Sequence, residues 1–154
     1  MMDHPLHEDT PLPKLMLEAR GSYGEASRRA LAAAGCEDLP RGGGMLLAGL
    51  EDIPEADFTP QADAVAGLHR SKQAASQLID ALVIRGYLER RSDPGDRRRM
   101  RVRITDRGRA AASVIQAAVD AVDAALEQRI TAEELHGLRV GLAALGEIRA
   151  QSAG

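Results

Sequence analysis

Apolar residues recur along this chain with two distinct periods. Between Ser71 and Arg85 they fall at Ala75, Leu78, Ile79 and Leu82, a spacing of three and four. That spacing places them on one face of an α-helix. Lys72, Gln73, Ser76, Gln77 and Asp80 take the other sides, and Gly86 ends the pattern. From residue 87 the period drops to two. YLERR and MRVRI alternate as β-strands do, and Asp93-Pro94-Gly95 between them is turn chemistry, so a β-hairpin is predicted. Val102 and Ile104 point to one side of it, Arg101 and Arg103 to the other. Thr105-Asp106 opens a long helix to about Gln128, with Ala111, Val114, Ile115, Ala118, Val122 and Ala125 on one stripe. Thr131 to Glu134 is a capping box that opens a last helix. Its Leu135, Leu138, Leu142, Leu145 and Ile148 have near-heptad spacing. Such a stripe suits a seam between two helices, within one chain or between two copies; in so short a chain the second is favoured.

The first half is less regular. Residues 12–34 read as a helix with Gly21 and Gly24 as places to bend or break, and Gly35 as its cap. Gly42-Gly43-Gly44 lies in a loop; no Gly-Lys-Ser/Thr follows, so it reads as connector and not as a phosphate cradle. MLLAGLE (45–51) is a short helix and EDIPEADF an acidic loop. Thr59 is expected to cap, and Pro60 to begin, a two-turn helix. The implied division is an arm over 1–11, a helix and loop over 12–41, a lobe over 42–105 and two helices over 106–154. The fold class is mainly α with a small β-hairpin.

Composition adds limits. At 154 residues one domain is expected, and with aromatics at 2% the core must be aliphatic and thin, so burial against a second subunit would help. The single Cys36 excludes an internal disulfide and suits a reducing, cytoplasmic setting. No apolar run approaches the roughly 18 residues a membrane span needs. The net charge of −3 argues against a nucleic-acid partner, but its distribution argues for one. His69 to Arg109 holds 12 of the 20 basic residues and 5 of the 23 acidic ones, a balance of +7 against −10 elsewhere. A compact basic block is either a solvated Arg-rich hairpin or an electrostatic footprint for phosphates.

The order of elements favours the footprint. A short helix, a tight turn, a patterned helix and a basic hairpin form a winged helix-turn-helix, whose second helix enters a major groove. Ser71, Lys72, Gln73, Ser76 and Gln77 are residue types that pair with base edges or phosphates. Arg97, Arg98 and Arg99 at the hairpin tip suit a minor groove. Nothing points to catalysis, a metal or a cofactor. His4, His7, His69 and His136 are scattered, with no metal-binding or nucleophile motif around them; His69 beside the turn reads as a phosphate or structural contact. Two alternatives stand beside DNA binding: a redox-sensing regulator using Cys36, against which its acidic neighbours Glu37 and Asp38 argue, and a protein-interaction module that keeps the fold without binding DNA.

The stretch SKQAASQLIDALVIRGYLERRSDPGDRRRMRVRITDRG resembles the DNA-binding core of the MarR (multiple antibiotic resistance regulator) family. The resemblance lies in leucine-isoleucine-aspartate, Gly-Tyr-Leu, Asp-Pro-Gly-Asp-Arg-Arg and Ile-Thr-Asp-Arg-Gly. It implies a homodimer held by the first and last two helices, binding pseudo-palindromic double-stranded DNA, usually as a repressor. A small phenolic or other effector between the dimer region and the lobe would release the DNA. By the same resemblance Ser71 to Gln77 face the major groove, Arg98 is the wing-tip arginine steadied by Asp96, and Asp80 pairs with a wing arginine. Leu135, Leu138, Leu142 and Leu145 would lie in the dimer seam. The Gly42–Gly44 run and the acidic loop depart from the family pattern near the effector pocket.

Overall fold

A computed structural model describes residues 9–54, 57–68 and 70–152. His4, His7, His69 and most of the expected N-terminal arm lie outside them. Six helices and three strands follow in the order α1 (Leu12–Ala33), α2 (Gly43–Glu51), β1 (Thr59–Pro60), α3 (Gln61–Val65), α4 (Lys72–Ile84), β2 (Leu88–Ser92), β3 (Met100–Ile104), α5 (Asp106–Glu127) and α6 (Ala132–Ser152). The fold is the expected one: mainly helical, with a small antiparallel sheet as a wing.

The core is built where the 3.6 and 2.0 periods meet. Ala75, Leu78, Ile79 and Leu82 of α4 are all buried, as the stripe predicts. Leu78, Ile79 and Leu82 pack with Leu46, Leu47 and Leu50 of α2, with Val102 and Ile104 of β3, and with Ala111 of α5. Each fully buried aliphatic side chain contributes about 1.5–3 kcal/mol. Gly86 takes φ +77° after α4, a left-handed conformation that turns the chain into β2. The turn aims Tyr87 into the core, where it is fully buried. Thr105 then starts α5 by accepting a bond from Gly108 N at 3.1 Å while donating to Gly86 O at 2.6 Å.

Several expectations need correction. α1 runs unbroken across Gly21 and Gly24. The glycine run is only partly connector: Gly42 is left-handed, at φ +86°, but Gly43 and Gly44 form the first turn of α2. Close packing accounts for them. A Cβ on Gly44 would sit 2.7 Å from Ile115 Cδ1 of α5, and one on Gly43 would sit 3.1 Å from Leu82. Thr59 caps nothing. Thr59 and Pro60 are a third strand, pairing antiparallel with β3 in the order β1-β3-β2. An edge strand tolerates proline because its missing N–H faces no partner. α3 is correspondingly short.

The last helix stands apart. Glu134 accepts from Thr131 N at 2.8 Å and donates through its own N–H to Thr131 Oγ1 at 3.2 Å, so the capping box is formed. Beyond it, every residue of 132–149 except Leu135 is exposed. Leu138 is 44%, Leu142 46% and Leu145 40% accessible. The stripe therefore does not serve an internal core. α1 packs instead along α5, with Tyr23 donating to Asp123 at 2.5 Å. No helix among the described residues is long and apolar enough to cross a membrane.

Candidate nucleic-acid interface

α4 presents a polar N-terminal half because its apolar stripe is committed to the core. Ser71 accepts from Ala74 N at 3.2 Å and so caps the helix. That bond occupies its hydroxyl oxygen in the fold. Lys72, Gln73 and Gln77 are exposed, and Ser76 is half-buried on the edge of the same surface.

The wing projects from the far end of the helix. Its tip is organised by two carboxylates. Asp93 accepts from Gly95 N at 2.8 Å, and Asp96 accepts from Arg98 N at 3.0 Å. The Gly95 bond, and then the charge of Arg101, hold the Asp93 carboxyl below the usual carboxylate range. Asp96 thus supports the Arg98 backbone, while its side-chain ion pair is with Arg99, at 3.6 Å. Arg97, Arg98 and Arg99 are all exposed. Among the described residues no side-chain partner of Arg97 or Arg98 is recorded.

The arginines of the strands are engaged within the fold. Arg90 donates to Asp80 of α4. Asp80 therefore pairs at the base of the wing, not at its tip. Arg101 pairs with Asp93 at 3.4 Å and Arg103 with Glu89 at 2.5 Å. Arg91 stacks on Phe58 with its guanidinium 3.8 Å from the ring centre. The basic block thus divides into strand arginines engaged by neighbours within the fold and the tip arginines Arg97 and Arg98, open to solvent. Net charge alone does not reveal this division. Strand register does: residues two apart on β2 and β3 share a face, which sets Arg101 and Arg103 against Asp93 and Glu89.

A second polar cluster joins the lobe to the stem. Tyr87 donates to Asp38 at 2.5 Å, and Arg107 of α5 donates to the same carboxylate oxygen at 2.8 Å. Arg85 donates to Asp38 O at 2.5 Å. Burial first, and then Asp38, push the Tyr87 phenol well above its ordinary value. The Tyr87 bond in turn holds Asp38 below the carboxylate range. In the sequence Asp38 stands out only as an acidic neighbour of Cys36, and no local signal points to this cluster. Cys36 itself is 7% accessible.

Further up the lobe, Arg109 of α5 donates to the carbonyls of Glu51 and Ile53, at 3.1 and 3.0 Å, and so holds the end of α2. A groove of about 230 Å³ lies between α2 and α3, lined by Met45, Leu50, Ile53, Thr59, Asp63 and Leu68 among others.

Residues 38–99 match the MarR family. Among solved structures the chain is similar to S. aureus MepR in a complex with DNA, at 18% identity over 89% of this chain and 97% of that one, with a TM-score of 0.73. It is similar to a cysteine-to-serine mutant of E. coli MarR complexed with operator DNA, at 22% identity over 90% and 95% of the two chains, with a TM-score of 0.70. The apo form of wild-type E. coli MarR matches at 21% identity over 88% and 96%, with a TM-score of 0.62. At these identities the likeness establishes the fold. No curated protein sequence matches.

Proposed function

From a chain whose residues 38–99 match the MarR family, and whose lobe has the winged helix-turn-helix order, we propose a transcriptional regulator that binds double-stranded DNA as a homodimer. The observation that carries this reading is the pairing of two polar surfaces on one rigid lobe. The exposed N-terminal half of α4 lies on the same lobe as Arg97 and Arg98 at the wing tip, whose side chains meet no partner among the described residues. A solvated hairpin would have no reason to engage its strand arginines within the fold and leave Arg97 and Arg98 open. Two structural relatives are themselves described in complexes with DNA.

In this reading Ser71, Lys72, Gln73, Ser76 and Gln77 meet the major groove. Arg97, Arg98 and Arg99 enter the adjoining minor groove, where a narrow groove concentrates negative potential. Asp80 and Asp96 hold helix and wing in place, which lowers the entropy lost on binding. The α6 stripe of Leu135, Leu138, Leu142 and Leu145 packs against a second copy, together with α1. Two lobes related by a two-fold axis then read a pseudo-palindromic site. A cytoplasmic repressor, released by a small phenolic or similar effector, is the finer form of this reading; the groove beside α2 offers such a compound a place. Burial of Cys36 favours this over redox sensing.

Selection of bound duplexes from random DNA tests the reading, followed by titration of the selected site with salicylate. Recovery of a two-fold-symmetric sequence is the expected result. Failure to enrich any sequence, with affinity insensitive to salt, would overturn it.

A further inference from the structure

The outer face of the wing brings three arginines of β2 and β3 together. Arg91 and Arg101 are direct cross-strand partners, and Arg103 shares their face. Like charges placed opposite each other destabilise a sheet. Phe58, the only phenylalanine of the chain, meets all three. Its ring centre lies 3.8 Å from the Arg91 guanidinium and 4.7 Å from that of Arg103. Its carbonyl accepts from Arg101 Nε at 3.0 Å, and from a second Arg101 nitrogen. Arg101 and Arg103 also have carboxylate partners in Asp93 and Glu89. For Arg91 the aromatic ring is the one partner recorded among the described residues.

We propose that Phe58 is the positioning residue of the wing, holding Arg91, Arg101 and Arg103 so that the hairpin presents Arg97 and Arg98 at a fixed pitch to DNA. The inference rests on the DNA-binding reading. β1 is only two residues long, and one of them is a proline. A ladder of only two residue pairs ties the segment weakly to β3. The ring, against Arg91 and Arg103, and the Phe58 carbonyl, against Arg101, supply what the ladder lacks. An aromatic face is required for the first of these contacts: the ring quadrupole attracts the guanidinium, whereas an aliphatic side chain of similar volume would desolvate the charge without compensation.

The test uses the full chain and a fluorescein-labelled, mixed-sequence DNA duplex, read by anisotropy. Amide exchange across Met100–Ile104 is measured on the same proteins without DNA. Phe58→Leu is expected to weaken binding by about 3–10-fold and to speed exchange in β3 by a similar factor, as loss of cation–π contacts implies. Phe58→Tyr, which keeps the ring, is expected to stay within about twofold of wild type on both readouts. Arg91→Gln leaves Phe58 in place and, if Phe58→Leu fails to fold, keeps the proposal open to refutation: faster β3 exchange is expected, and exchange unchanged or slowed, as relief of the Arg91–Arg101 repulsion alone would give, would overturn it. Arg98→Ala serves as the comparator. Weakened binding by Arg98→Ala beside unchanged affinity and exchange in Phe58→Leu would overturn this inference alone. Equal losses in Phe58→Leu and Phe58→Tyr would also overturn it. Absence of any binding by the wild-type protein would instead remove the DNA-binding reading, and this inference with it.

Discussion

Asp80 of α4 and Arg90 of β2 are joined by a charge-assisted hydrogen bond across the angle between helix and wing. Their side chains are 47% and 30% accessible, so solvent screens the pair. Its direct contribution to stability is therefore small, roughly 0.2–1 kcal/mol. A double-mutant cycle of Asp80→Asn and Arg90→Gln, followed by urea denaturation, should return a coupling in that range. A coupling of zero would leave the angle between helix and wing to the apolar core alone.

Base readout and groove contact predict different mutational signatures. Lys72→Ala or Gln77→Ala should change which sequences are selected from random DNA. Arg98→Ala should weaken binding to all sequences and lower the slope of log affinity against log salt by about 1. Anisotropy titrations over a salt series check this. Uniform losses from all three would contradict the assigned roles.

How far the sequence can be read follows from the range of each interaction. The α4 stripe, the hairpin, the Thr105 and Thr131 caps and the exposed α6 row are local patterns, and all are legible. Thr59-Pro60 misleads because a capping signature and an edge strand share the same residues; only the pairing of Thr59 with Val102 decides between them. The glycine run misleads because its reason, the approach of Ile115, comes from a helix far along the chain. Asp38 likewise acquires its meaning from Tyr87 and Arg107, both remote in sequence. Among the candidate interface residues the polar face of α4 is visible, but the division between strand and tip arginines requires the register.

Two glycines should respond to alanine in opposite senses. A Cβ on Gly108 would press on the carbonyl oxygen of Tyr87 and lie 2.7 Å from Ile104 Cγ1. Because the first of these is backbone, relief requires moving β2 or α5, and Gly108→Ala should cost about 1–3 kcal/mol or more. Gly49 is mid-helix in α2 with nothing within 4 Å of its would-be Cβ. Gly49→Ala should stabilise by about 0.5–1 kcal/mol through helix propensity. Thermal or urea unfolding of both variants distinguishes them; a stabilised Gly108→Ala would refute the packing account.

The Tyr87–Asp38 bond sets two pH limits on stability. The Tyr87 phenol is held protonated above its ordinary 10.0, by burial first. Its contribution is full below pH 10 and declines as pH rises past that point, where the unfolded chain ionises and the folded one does not. Asp38 is held below 3.8, by Tyr87 first and then Arg107. Its contribution is full above that value and is lost as pH falls below it. Tyr87→Phe should flatten both limbs of a plot of Tm against pH. Some alkaline decline should persist, because the bond to Asp123 also raises Tyr23. An unchanged alkaline limb would assign the whole effect to Tyr23.

The α6 stripe makes the strongest demand for a partner. Leu138, Leu142 and Leu145 are each at least 40% accessible in the single chain. Leu12 and Leu17 of α1 are 64% and 70% accessible. Amphipathic helices that leave such rows uncovered gain roughly 1.5–3 kcal/mol for each leucine fully buried against another surface. In the proposed homodimer a second copy supplies that surface symmetrically, so each substitution counts twice. Leu138→Glu with Leu142→Glu should therefore shift sedimentation from dimer to monomer while leaving the lobe folded, since neither side chain belongs to its core. Affinity for a two-fold-symmetric DNA site should fall steeply, because each lobe then binds alone and the second contact is no longer intramolecular. A monomeric variant with full affinity would show that one lobe suffices, and a variant that stays dimeric would move the interface to α1.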